Sequence, residues 1–490
     1  MRTRHLNNRL IRILNTQLPK IQNLRKSVCF RYYKPVILTL PRMYYQSSYN
    51  CDNVIDLREA IGWNRLNLHI IGIWPEPMVQ QDRLADFRAF VAIFCTLMFV
   101  TIWQSINLFR LDGDLGEITQ TLTLANIPGY NAAIKIFVVW YLREDLKPLI
   151  KSFYNDWYAP KTDEERTTMM DSAKLSKYLS IWCTILTQCM VTAYISIRSF
   201  TIAGSNATTE RQDHLVIYPG YYPFDMRRTP VRITTNVAQV IAAYCATIPY
   251  TGVDIFIAML VLHTCGQFQN LNRKLTRLMD EADGTRKSSD IQKELTWIVK
   301  RHEHLNWTGI KIGECFSILL FLQMLLSTVE ICFQGFLFFN VILKDENGFL
   351  TFQMLFFILF VLFITVHMYV YCYVGELLLV QLQLRITCSQ TTRTHSISLL
   401  YEKLRQVEQT LQQRNMFQSS SLGIAAYESK WYNVAPSDAK CLLFIILRST
   451  RPIYLKAGKF GIFSMEMFSS ILRTAMGYLS VLLTISGGDE

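Results

Sequence analysis

Residues 87–109 read FRAFVAIFCTLMFVTIWQSINLF, with Arg88 the one charged side chain in the run. A helix of about 20 predominantly apolar residues is what it takes to cross a hydrocarbon core of about 30 Å. The stretch therefore predicts a membrane span over 87–108. Working outward, the same reading predicts spans over 121–142, 175–198, 236–263, 312–341, 350–380 and 462–485. The second carries Pro128 and Lys135, and Lys135 is expected to snorkel its ammonium towards the interface. The fifth and sixth are long enough to project beyond the bilayer. A shorter run, CLLFIIL at 441–447, is too short to span and is set off from the last one by Arg448, Arg451 and Pro452; it reads as a cytoplasmic helix.

Composition agrees with a membrane protein. The 490 residues are 50% hydrophobic and 18% charged, with a mean hydropathy of +0.17, whereas soluble domains carry about 25% charged residues. The net charge of +12 is concentrated: residues 1–50 hold 7 Arg and 3 Lys and no acid. The remainder is nearly neutral, which gives nucleic-acid binding by the chain no support. The 12 cysteines include no C-x-x-C pair. They read as small buried hydrophobes, with neither a disulfide framework nor a metal site expected.

Orientation follows from lysine and arginine in the connections. Segments 143–174, 266–311 and 381–461 together hold 26, against 6 in 109–120, 199–235 and 342–349. The first set is expected inside the cell, which puts the N-terminus inside and the C-terminus outside. Two sequons fit that arrangement: Asn206 is expected to be glycosylated on the outer face, and Asn306 to stay unmodified on the inner one. Residues 382–418 are polar and interrupt better-patterned stretches. Leu400, Leu404, Val407 and Leu411 have helical spacing, yet the segment reads as a tolerated cytoplasmic insertion.

Trp431-Tyr432, Arg448, Pro452, Ala457-Gly458-Lys459-Phe460, Ile471-Leu472-Arg473-Thr474 and Tyr478 resemble the C-terminal signature of insect odorant receptors. Tyr371-Cys372-Tyr373-Val374-Gly375-Glu376, the group Asp254, His263, Cys265, Gly266 and Gln267, and Leu66 through Pro75 are similar to further family segments in the same order. The resemblance covers 52–381 and 419–485; segments 1–50 and 382–418 have no counterpart in it. Gustatory receptors, the runner-up, end in Thr-Tyr, five residues and Gln-Phe. Here Gly477, Tyr478, Thr484 and Ile485 keep only the tyrosine. A G-protein-coupled receptor would have its N-terminus outside.

The resemblance implies an all-α, seven-helix domain over 52–485 with a cytoplasmic anchor, and a pore-lining last helix within 441–485. It implies an odour-tuning subunit that joins a co-receptor in a heterotetrameric cation channel, in the plasma membrane of olfactory neurons, with a small volatile odorant as ligand and no cofactor. Val481 and Ile485 then stand where a hydrophobic gate would be, beside Thr484; being four apart they share a helix face, and apolar constrictions close pores by dewetting. Tyr130, Met190, Tyr194 and Tyr244 are the expected pocket residues, in keeping with an apolar, aromatic cavity. Asp254, Glu376 and Arg473 are charges in or beside spans, expected to make structural pairings in the anchor. His302-Glu303-His304 is not H-E-x-x-H, and no P-loop or G-x-S-x-G occurs, so no enzymatic reading is supported.

Overall fold

The computed structural model describes residues 51–77, 83–110, 115–204, 215–281, 288–343, 350–379, 422, 425–426, 436–449, 453–459 and 461–486. Segments 1–50 and 382–418, like Asn206, lie outside them. The helices are α1 (Cys51–Ile70), α2 (Arg83–Leu108), α3 (Leu115–Tyr141), α4 (Arg143–Tyr158), α5 (Asp163–Gly204), α6 (Thr229–Glu281), α7 (Ser288–Leu343), α8 (Leu350–Leu379), α9 (Pro436–Ser449) and α10 (Met465–Ser486). Seven of them, α2, α3, α5, α6, α7, α8 and α10, are long and apolar enough to cross a membrane. The seven expected spans are all present. The third and fourth, like the fifth, run well past the bilayer, which hydropathy could not register because the projecting turns are polar. The stretch at 441–447 is the core of α9.

Helix α6 is the hub. It packs on α5, α7, α8 and α3, and every residue from Val253 to Leu262 is at most 4% exposed. A helix apolar on all sides belongs in the middle of a bundle. Peripheral spans turn large side chains such as Phe87, Phe90, Trp182, Leu355 and Leu362 outwards, as a lipid-facing surface requires.

Helix α10 packs on α7 and α8 through Ile471, Ala475 and Leu479, at four-residue spacing, and leaves Met476, Tyr478 and Val481 exposed. Gly335 lies at its contact with α7: a Cβ there would lie 2.8 Å from Leu479 Cδ2, and the leucine side chain would have to shift. Between α9 and α10, β1 (Lys456–Ala457) and β2 (Gly461–Ile462) form an antiparallel hairpin whose turn uses Gly458 at φ 58°.

The end of the bundle holding α1, α4 and α9 is the basic one, and it is laced by ion pairs. Arg166 takes Asp56 with two bonds of 2.5 and 2.8 Å, and Asp156 receives His263 at 3.1 Å and Arg301 at 2.7 Å. Arg448 of α9 reaches Glu303 of α7 at 3.1 Å. These contacts join α1 to α5, α4 to α6 and α7, and α9 to α7.

Candidate functional site

In the half of the bundle away from the basic end, α2 and α3 each open into one π-helical turn, Leu97–Thr101 and Leu122–Asn126. The last side chain of each bonds back five residues, Thr101 to the Thr96 carbonyl at 3.2 Å and Asn126 to the Thr121 carbonyl at 3.5 Å. Ser105 bridges the two helices by donating to Asn126 Oδ1 at 2.8 Å. Gly129 lets them meet, since a Cβ there would fall 2.4 Å from Thr101 Oγ1. π turns recur at functional sites in helices.

Both π turns form one wall of a cavity of about 90 Å³, several times the ~10–15 Å³ that one water needs. Val100 comes from α2, and Leu124, Ala125, Pro128 and Gly129 from α3. Thr187, Met190, Val191 and Tyr194 come from α5, and Ala243, Ala246, Thr247 and Tyr250 from α6. Phe356, Phe360 and Phe363 of α8 face them, and Tyr218, from the α5–α6 connection, completes the lining.

The polar side chains of this lining largely bond into the protein. Tyr194 Oη donates to the Ile217 carbonyl (3.0 Å), Thr187 Oγ1 to that of Cys183 (2.7 Å) and Thr247 Oγ1 to that of Tyr244 (2.6 Å). What remains towards the space is methyl and ring surface. Such a cavity recognises a small apolar molecule by shape.

Of the expected pocket residues, Met190 and Tyr194 line this cavity and Tyr130 and Tyr244 do not. Tyr130 is 42% exposed and bonds Ser105 at 3.0 Å, and Tyr244 bonds Thr192 at 2.8 Å on the outside of the helix pair. Their small neighbours Gly129 and Ala243 face inwards in their place. The residues missed are chiefly those of α8, although Phe356, Phe360 and Phe363, at i, i+4 and i+7, form a stripe that periodicity could have found.

The expected charges also fall differently. Lys135 does not snorkel. It is fully buried, and its Nζ donates to Asp254 Oδ1 at 2.5 Å and to the Tyr250 carbonyl at 2.8 Å. Asp254 therefore belongs to a pair inside the spans and not to the basic-end anchor. Snorkelling loses because an acceptor within reach satisfies the ammonium without moving it to water. Removing one member of a buried pair costs roughly 3–5 kcal/mol.

Glu376 and Arg473 make no pair with each other. Glu376 accepts the Met465 backbone N–H at 3.0 Å, and Arg473 is exposed on α10. Val481 is 55% exposed, on a face of α10 that packs against nothing among the described residues, and Thr484 bonds back to the Ser480 carbonyl at 2.9 Å. Ile485 is the next turn of the same helix. Asn306 is only 2% exposed, within α7.

Residues 116–384 and 412–476 match the family model described as 7tm odorant receptor. This chain belongs to the odorant receptor family. Odorant receptor 13a of Drosophila melanogaster is 21% identical over 440 residues, covering 87% of this chain and 95% of the relative. Odorant receptor 85c of the same fly is 20% identical over 421 residues, covering 85% and 96%. The solved structure of the insect olfactory receptor OR5 from Machilis hrabei in complex with eugenol aligns with a TM-score of 0.67 at 14% identity. That alignment covers 88% of this chain and 99% of that one, and it speaks to the fold. The chain is thus an odorant receptor and a multi-pass membrane protein; the gustatory and G-protein-coupled readings are not favoured.

Proposed function

We propose that this odorant receptor is the odour-tuning subunit of a ligand-gated cation channel, that its cavity between α2, α3, α5, α6 and α8 holds the odour, and that α10 lines the pore. The observation that carries the reading is the cavity itself: lined by apolar and aromatic side chains, with much of its polar lining turned into the protein. The basic end is the cytoplasmic one, as the lysine and arginine distribution supports, and in this reading the membrane is the plasma membrane of an olfactory neuron.

The partner is a co-receptor in a heterotetramer. The exposed face of α10 at Met476, Tyr478 and Val481 suits a helix whose neighbours are other subunits around a pore. Val481 and Ile485 are the gate residues in this reading. Opening follows if odour binds the open arrangement more tightly and shifts the equilibrium towards it. Helix α8 offers a mechanical route, since it lines the cavity at one end and holds the start of α10 through Glu376 at the other.

The test is cavity size. With the co-receptor co-expressed, Ala243→Phe should fill the space and remove responses to the bulkier members of a graded ester and alcohol panel that includes eugenol. Met190→Ala should extend the response to larger members. If neither variant changes any half-maximal concentration at matched surface expression, the cavity is not the odour site.

A further inference from the structure

We infer that Lys135 is a positioning residue for odour recognition: it braces α6 just after Pro249 and so fixes Tyr250 as a wall of the cavity. This inference rests on the cavity reading above. Pro249 lies inside α6, where proline has no N–H to give the carbonyl one turn back and weakens the helix locally. The next residue is Tyr250, which lines the cavity. Its carbonyl accepts Lys135 Nζ at 2.8 Å, and the same ammonium lies 4.5 Å from the centre of the Tyr250 ring. One turn further on, Asp254 takes that ammonium at 2.5 Å.

A single cation from α3 thus ties together the two successive turns of α6 that follow the proline. Tyr250 in turn stacks on Phe363, ring centres 5.9 Å apart at 28°, and Phe363 lines the cavity too. Neither Lys135 nor Asp254 lines the cavity, so their influence on an odour passes through Tyr250. Glu330 of α7 is a further buried carboxylate within electrostatic range of Lys135 and Tyr250.

The deciding variant is Lys135→Met with Asp254→Leu. Replacing a buried ion pair by apolar side chains often preserves folding, whereas removing one partner does not. With the co-receptor and at matched surface expression, half-maximal concentrations are read for a series of straight-chain acetates, alcohols and 2-ketones and for eugenol. Positioning predicts a changed rank order, with the most potent members losing roughly tenfold, the scale at which shape-based pockets discriminate, and little change in saturating current. Lys135→Arg, which keeps the charge and the donors, should recover part of the original order.

An unchanged rank order in the double variant overturns the inference and leaves the pair a purely structural one. If the double variant fails to reach the surface, Lys135→Met with Asp254→Asn takes its place; it also removes the donor to the Tyr250 carbonyl, so an unchanged order there is equally decisive. Ala246→Phe separates this failure from failure of the cavity reading, because it adds bulk to the wall and leaves the pair intact. A shift with Ala246→Phe alone sinks only the role of Lys135, while no shift with either sinks the cavity.

Discussion

Glu376 of α8 accepts the backbone N–H of Met465, the first residue of α10, at 3.0 Å. The sixth span therefore supplies the cap of the seventh across 89 residues of sequence. Gly375 beside it is needed for the approach, since a Cβ there would lie 2.5 Å from the Phe463 carbonyl oxygen. Losing a cap costs about 1 kcal/mol. Glu376→Ala should lower the thermal midpoint of the detergent-solubilised protein and reduce odour-evoked current per receptor at the surface, with Glu376→Gln, which keeps an acceptor oxygen, intermediate. Wild-type melting and current in the alanine variant would refute the link.

The gate makes a sharper prediction. Val481→Ser and Ile485→Ser should each raise resting current before odour, because a polar side chain wets a constriction that apolar ones keep dry. Leu482, which packs with Cys332, Phe336 and Leu479, points about 100° away on the helix, so Leu482→Ser should disturb packing without leak. In the proposed heterotetramer the co-receptor subunits would keep their own apolar gate residues, so the expected leak is partial. Whole-cell current matched for surface expression is the measurement, and equal leak from Val481→Ser and Leu482→Ser would remove the assignment.

Asp156 predicts a pH dependence at the basic end. Burial alone would push its carboxyl up, but the hydrogen bond and charge of His263, with Arg301 beside them, outweigh burial and hold it below the ordinary value of 3.8. A carboxylate lowered in the folded state stabilises fully above its unfolded value and loses that contribution as pH falls through the folded one. Asp156→Asn should therefore destabilise the protein at neutral pH, and its deficit should shrink as the medium is acidified below the ordinary carboxylate range. Thermal midpoints of both forms across pH give the comparison; a deficit that does not change with pH would mean that lost packing, and not charge, is responsible.

Topology is open to a direct test. Asn206→Gln should abolish an endoglycosidase-sensitive mobility shift, and Asn306→Gln should leave it unchanged. Asn306 is both on the basic side and buried in α7. A glycan found on Asn306 would reverse the orientation.

The spans were legible because lipid imposes a simple demand on composition, and 87–109 meets it without any knowledge of neighbours. The Lys135 pair was not. A lysine in an apolar helix reads the same whether it snorkels or pairs, and its partner Asp254 lies 119 residues away. The pocket was half legible for a related reason. Large aromatics such as Tyr130 and Tyr244 draw the eye, but enclosed space is made where residues are small, at Gly129, Ala243 and Ala246. The π turns leave no mark in hydropathy, since one extra residue per turn changes no side-chain type.

Those two turns, Leu97–Thr101 and Leu122–Asn126, bear on how such a receptor can diverge. A π turn is an α-helix holding one residue more than its regular winding needs. Deleting a single codon from a regular helix rotates everything beyond it by about 100°. In an ordinary span that rotation would misplace every side chain beyond it. Here the surplus residue is already present in the wall of the cavity, so its loss repairs the winding while exchanging which side chains line that space. Beside substitution, this fold thus holds, at two sites, a route to a changed cavity through length.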